Sequence, residues 1–257
     1  MSVPPGTIAV AKPVLHELGF LLTVEHALIV EYLSVSCALG YDLDARDGGP
    51  ATEPGKAVAA AAKNLADGQM LRFGQLARAL SGVAPTGMFD RAREIVDAAG
   101  TTISLDPPIR EQLEHLLERE ESIAAAVDAR YARLGPAVAV YGPGADAFSS
   151  DLRAAVADGA THASAVSALR DNLADQPVGD LLRATRRSAG TNAERVLLRI
   201  SDGTYVQLLN ALDNFYADRS SDLGGTFRIM ALAEMDVMDD VNRALVHAGL
   251  LPPFKMP

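Results

Sequence analysis

A carboxylate placed inside a long apolar run is the first group in this sequence that could do chemistry. Glu25 lies in LLTVEHALIVEYL, with His26 beside it and Glu31 six residues on. A carboxylate taken out of water must be paired with a cation, bound to a metal or protonated. In the last case it can act as a general acid or base. On a helix His26 points about 100° away from Glu25 and Glu31 about 120° away, so only one of the two glutamates need face the bundle axis. Asp158 and His162, four residues apart, share one helix face and could converge on one metal ion or one substrate group. The surroundings of His162, ATHASAVSAL, are small and apolar.

The other polar groups suggest less chemistry. The sequence contains no P-loop, no GxGxxG after a strand, no GxSxG, no HExxH and no CxxC pair. His115 sits among charges and reads as exposed, and His16 and His247 fall near helix ends. Met70, Met230, Met235 and Met238 read as core, whereas Tyr32, Tyr205 and Tyr216 are candidates to line a cavity, since a buried hydroxyl needs a partner. Asp236, Asp239 and Asp240 with Arg243 read as a solvated acidic face, from which Glu234 or Asp236 could turn inward. The single cysteine, Cys37, excludes an intramolecular disulfide, matches a reducing compartment and reads as a buried, inert thiol.

Helices must position these groups. Of 257 residues, 49% are hydrophobic, only 5% are aromatic and none is tryptophan, and Ala and Leu dominate. Such side chains lose little freedom in a helix. Pro13 opens and Gly40 stops a first helix that is apolar on nearly every face and so must be surrounded by others. Residues 41–55 form a Gly/Pro/Asp-rich loop, and a second helix follows from about Lys56 to Leu80 with Asp67, Gln69 and Arg72 near its middle. A short helix is expected at Asp90–Ala99. A third long helix, at about Ile109–Leu134, carries Glu111, Glu114, Glu118 and Glu121 as a solvated stripe. Further helices are expected at about Ala147–Leu173, Val178–Ser188, Asn192–Tyr216 and Gly225–Ala248. No run alternates as a strand would. The expectation is all-α, with residues 1–257 forming one domain. ADGQMLRF, ADGATHAS and SDGTYVQL repeat an Asp-Gly within a helical pattern, which suggests close backbone approach or room for a ligand.

A net charge of −10 speaks against a nucleic-acid partner. Residues 1–12 lack the basic-then-apolar order of a signal peptide. Leu15–Leu39 is long enough to span a bilayer, but Glu25, His26 and Glu31 at its centre would be costly in hydrocarbon. A soluble, cytoplasmic protein without a membrane partner is therefore expected.

VEHALIVEYL at 24–33, ADGQMLRF at 66–73, ADGATHAS at 157–164 and AEMDVMDDVNRALVHAGLLPPF at 233–254 give the chain, from about residue 13 to 254, a resemblance to the ferritin-like superfamily. It is most similar to the branch that contains the violacein-pathway iminophenyl-pyruvate dimer synthase. The resemblance implies an antiparallel helical bundle with extra helices and a biosynthetic reaction on a small organic molecule in bacterial specialised metabolism. In that family two helices with a carboxylate–histidine pattern, plus two lone glutamates, hold two irons in the bundle core. This sequence has no ExxH, and Gln69 and Arg72 stand at the second helix's ligand positions. Arg72, a permanent cation, would repel a metal and could pair with Glu25 instead. The expected site is Glu25, Arg72, Asp158 and His162, with Asp67 a further candidate partner, doing metal-independent cyclisation, coupling or rearrangement. No cofactor is expected. The alternatives are an iron- or manganese-dependent oxidase or oxygenase on Glu25, Asp158 and His162, and a non-catalytic bundle that binds a ligand or builds a structure. A homo-oligomer is compatible with any of them.

Overall fold

A computed structural model describes residues 12–40, 53–81, 94–96, 102–104, 124–137, 150–151, 153–155, 157, 166–167, 169–171, 181–185, 187–217 and 222–254. The class is all-α. Its long helices are α1 (Lys12–Ala38), α2 (Glu53–Ser81), α3 (124–137), α4 (Asn192–Ala217) and α5 (Asp222–His247), and most described residues between 150 and 171 are helical as well. The first, second, fourth and fifth begin and end within a few residues of their expected bounds.

The ends follow from capping chemistry. Gly40 and Gly249 take φ of 80° and 71°, the left-handed conformation that carries a chain out of a helix at least cost. At the end of α5 the Gly249 and Leu250 amides donate to the Val246 and Leu245 carbonyls, satisfying two that the helix leaves open. At the start of α4, Thr191 and Glu194 form a reciprocal box: the Glu194 amide donates to Thr191 Oγ1 at 3.1 Å and the Thr191 amide to Glu194 Oε2 at 3.0 Å.

Alanines let α1 and α2 approach closely. Ala59, Ala62 and Ala66 are buried at helical spacing on α2, and Ser36 of α1 donates across to the Ala59 carbonyl at 3.0 Å. Late α1 meets early α2 here, and mid α1 meets later α2 at Glu25 and Arg72, so the pair is antiparallel. The α4–α5 pair is antiparallel too, because Ser201 near the start of α4 bonds Asn242 near the end of α5 at 2.8 Å. The two pairs touch each other only sparingly. On its other side α1 meets α3, whose Ala124, Val127, Tyr131 and Leu134 form one buried stripe. Helix α1 is thus covered nearly all round. Each large apolar side chain fully buried on it, such as Leu18, Leu21, Leu22 and Leu28, contributes about 1.5–3 kcal/mol. By length and composition α1 could cross a membrane, but 78% of its apolar window is buried inside the protein.

Two local expectations are corrected. Where a short helix was expected at 90–99, Glu94–Val96 pairs antiparallel with Thr102–Ser104, Ile95 opposite Ile103. Both segments are centred on β-branched residues, which suit a strand better than a helix. The helix expected at Val178–Ser188 is extended from Leu182 onward. The amides of Arg183 and Ala184 donate to the Ala38 carbonyl, and Thr185 exchanges bonds with Gly249 and Leu251. Capping the end of α1 and binding the tail after α5 outweighs local helix preference there. The acidic stripe at 111–121 lies outside the described residues.

Candidate functional site

Glu25 and His26 are neighbours in sequence but serve two separate places. Glu25 is fully buried between α1, α2 and α3. Arg72 Nε donates to its Oε2 at 3.3 Å, and the Tyr131 hydroxyl donates to its Oε1 at 2.6 Å. Arg72 reaches it because Gln69, Arg72, Leu76 and Ala79 form the buried stripe of α2. The 2.6 Å bond is short, as charge-assisted O–H···O bonds are, whereas 3.3 Å is long for a charged N–H donor. Arg72 therefore acts mainly by neutralising charge and Tyr131 by directional bonding. Burial, and then the negative charge of Glu25 and the bond donated to it, hold the Tyr131 phenol well above its usual range.

The sequence expectation of a Glu25–Arg72 pair is met, and Tyr131 is the partner it missed. Its place in the apolar stripe Ala124, Val127, Tyr131, Leu134 is a sequence signal for burial, but nothing in the sequence links it to residue 25. Asp158 and His162 lie outside the described residues. Asp67 does not join Glu25: it is exposed and paired with Lys63 one turn earlier on α2. Glu31 is buried too, so Glu25 and Glu31 are both inside, on different faces, while Glu17 of the same helix is half-buried and paired with Arg130. The two Asp-Gly repeats within the described residues do not mark close approach, and the third, at Asp158, lies outside them. A Cβ on Gly203 would meet nothing within 4 Å, and one on Gly68 only the Arg72 guanidinium at 3.7 Å.

His26, about 100° round the helix, faces α4 instead. Its Nε2 lies 2.9 Å from the Tyr205 hydroxyl, with the two rings stacked 6° from parallel. Both line a cavity of about 210 Å³ in the gap between the two helix pairs. Ile29, Val30 and Leu33 continue the α1 wall, and Met70 and Phe73 supply α2. On α4, Tyr205, Leu208, Leu209, Leu212 and Tyr216 recur at helical spacing along the cavity. The expectation that Tyr205 and Tyr216 line a cavity is met, whereas Tyr32 is packed in the core. Met70 and Met238 form walls as well; Met235 lines the cavity but is exposed, and Met230 is exposed too, so these two are not the core residues expected. Phe254, from the Pro-Pro-Phe tail, closes one end. It is buried, stands edge-on to Tyr205 at 5.8 Å, and holds a φ of 41° that a bulky residue adopts only under constraint.

A second cavity of about 270 Å³ shares Leu33, Met70, Met235, Met238 and Phe254 with the first. Its remaining lining is mostly polar and includes Lys63, Asp67, Asp236, Asp239, Asn242 and Arg243, beside Val246. Most of the charges are paired, Lys63 with Asp67 and Arg243 with Asp239 at 2.6 Å and Asp240 at 3.1 Å, the last three belonging to the acidic patch foreseen in the sequence. Cys37 lies here, its thiol pushed up to about 12 by burial and then by Asp239, with Lys63 opposing. A buried, inert thiol was the expectation; Cys37 is half-buried, and its raised thiol agrees with the inert part.

The donors around Glu25 do not fit a di-iron centre. A cation and a phenol already occupy its two oxygens, and among the described residues no three His, Cys, Asp or Glu side chains converge.

No protein-family profile, no curated protein and no solved structure matches this chain.

Proposed function

We propose that this protein is a helical bundle that takes up a small, mostly apolar organic molecule between its two helix pairs. The observation that carries this is the 210 Å³ cavity, apolar on nearly all sides, with the His26–Tyr205 pair on its wall. An apolar cavity of about 150 Å³ holds a benzene ring, so this one suits a ligand of one to two rings. Few polar groups in an apolar cleft are the usual means of fixing a ligand's orientation. His26 and Tyr205 would grip a hydroxyl, carbonyl or carboxyl group on the ligand. We read the architecture as ferritin-like and the protein as cytoplasmic, on the grounds of two antiparallel helix pairs around a central space and a buried apolar α1.

An enzymatic version uses the same cavity: acid–base cyclisation, coupling or rearrangement of the bound molecule in bacterial specialised metabolism. One observation favours it, namely an imidazole on the wall, since histidine is the side chain that changes charge near neutral pH. His26, not Glu25, is then the group at the substrate, because Glu25 is held by Arg72 and Tyr131 and lines neither cavity.

Thermal denaturation with toluene, p-cresol, indole and 2-naphthol tests binding. A ligand that binds only the folded chain raises the midpoint in proportion to the logarithm of its excess over Kd. Ile29→Trp, which fills the cavity from α1, should abolish the rise. Tyr205→Phe should keep the response to toluene but lose the preference for p-cresol. If no member of the set moves the wild-type midpoint, the proposal fails.

A further inference from the structure

Helix α5 carries exposed apolar side chains beside its buried face. Ala231, Met238 and Leu245 are buried within the protein, while Ile229, Leu232 and Met235, spaced three apart along one side of the helix, are 69%, 53% and 37% exposed. A soluble helix that is apolar all round is normally covered all round. Isolated exposed apolar residues need no explanation, but a contiguous patch of them marks an interaction surface.

We propose that this face is covered by α5 of a second copy of the chain, packed antiparallel about a two-fold axis at Leu232. The charges on the face commit it to that partner. Arg228 and Asp236 stand four residues either side of Leu232, both exposed, and neither has an ion-pair partner among the described residues. An antiparallel copy sets Arg228 against the partner's Asp236 and, by symmetry, makes the same contact a second time. It also sets Ile229 against the partner's Met235 around the central Leu232. A parallel copy would oppose arginine to arginine and aspartate to aspartate, which like-charge repulsion disfavours. The nearby Asp239 and Asp240 are already neutralised by Arg243 of their own helix, so they do not oppose the approach. A membrane fits the face less well: exposed Asp222, Asp236 and Asp240 lie along it and no lysine does, whereas membrane-surface helices carry basic polar faces.

Sedimentation equilibrium on the full chain at micromolar concentration tests this. Wild type should sediment at twice the chain mass. Leu232→Glu should be a monomer with an unchanged helical circular-dichroism spectrum. Arg228→Asp and Asp236→Arg should each weaken the dimer by about tenfold or more, and the double exchange should recover most of the loss. That recovery separates a specific pairing from a general effect on folding. A monomeric wild type would overturn the proposal, and co-sedimentation of that monomer with phospholipid vesicles would give the face to a lipid surface. A double exchange no better than either single variant would overturn it as well.

Discussion

Removing Arg72 should be among the most damaging single changes in this protein, and the reason is Glu25. In Arg72→Met the alkyl stem is kept and the guanidinium is lost, so a fully buried carboxylate retains the Tyr131 bond without its nearby cation. Breaking a buried pair in this way costs about 3–5 kcal/mol, because the remaining charge is not solvated. Tyr131→Phe removes a hydrogen bond to a charged group but leaves the cation, and should cost about 1.5–3 kcal/mol. Replacing all three together, as Glu25→Leu/Arg72→Met/Tyr131→Phe, leaves no orphaned polar group. Apolar replacement of a buried pair is often neutral or stabilising. The triple variant should therefore be more stable than Arg72→Met alone. Urea denaturation followed by circular dichroism gives these differences, and the Arg72→Met midpoint temperature should fall by roughly 10 °C for a chain of this size. The pattern also decides between roles: if Glu25 only ties α1 to α2 and α3, the triple variant keeps cavity binding. An Arg72→Met variant within 1 kcal/mol of wild type, on the order of an exposed pair, would refute the account.

Four further outcomes follow from particular contacts. Of six tyrosines, Tyr131 should stay protonated in an alkaline absorbance titration until the protein unfolds; because its folded value is raised, its contribution to stability is whole below pH 10 and is lost as pH rises beyond it. Glu194 is held down to about 2, first by the Arg187 hydrogen bond and then by the Thr191 amide, so the stability gap between wild type and Glu194→Gln should be full above pH 4.5 and close as pH falls towards 2. The Cys37 thiol should react with an aromatic disulfide reagent only after denaturant is added. Phe254→Ala should cost about 3–5 kcal/mol, as large buried aromatic truncations do, and should join the two cavities, so that longer ligands raise its midpoint more than short ones.

The helices were legible because their causes are local. Pro13, Gly40, Gly249 and the Thr191–Glu194 box set ends that neighbouring residues determine, and the 3.6-residue repeat of Leu and Ala fixed which stretches coil. The apolar surround of Glu25 also dictated that it needed a partner, and a buried cation on the next helix was a short step. Misreadings came where distant backbone decided conformation. The 182–185 segment is extended because the Ala38 carbonyl and the Gly249–Leu251 backbone claim its hydrogen bonds, and no periodicity encodes that.

Tertiary structure alone settled which polar groups share a space. Helical geometry placed His26 and Glu25 on different faces, but which face meets α3 and which meets the gap beside α4 depends on how the helix pairs pack. Tyr131 joined Glu25 across 106 residues and Tyr205 joined His26 across 179, separations over which sequence spacing carries no geometric information. The sequence determined that the chain is helical, that α1 is central and that its carboxylate must be compensated, because propensity, periodicity and the cost of burying charge act residue by residue. Packing decided that Glu25 is a tie between helices and that the cavity lies beside its neighbour, because a cavity exists only where two helix pairs fail to close on each other.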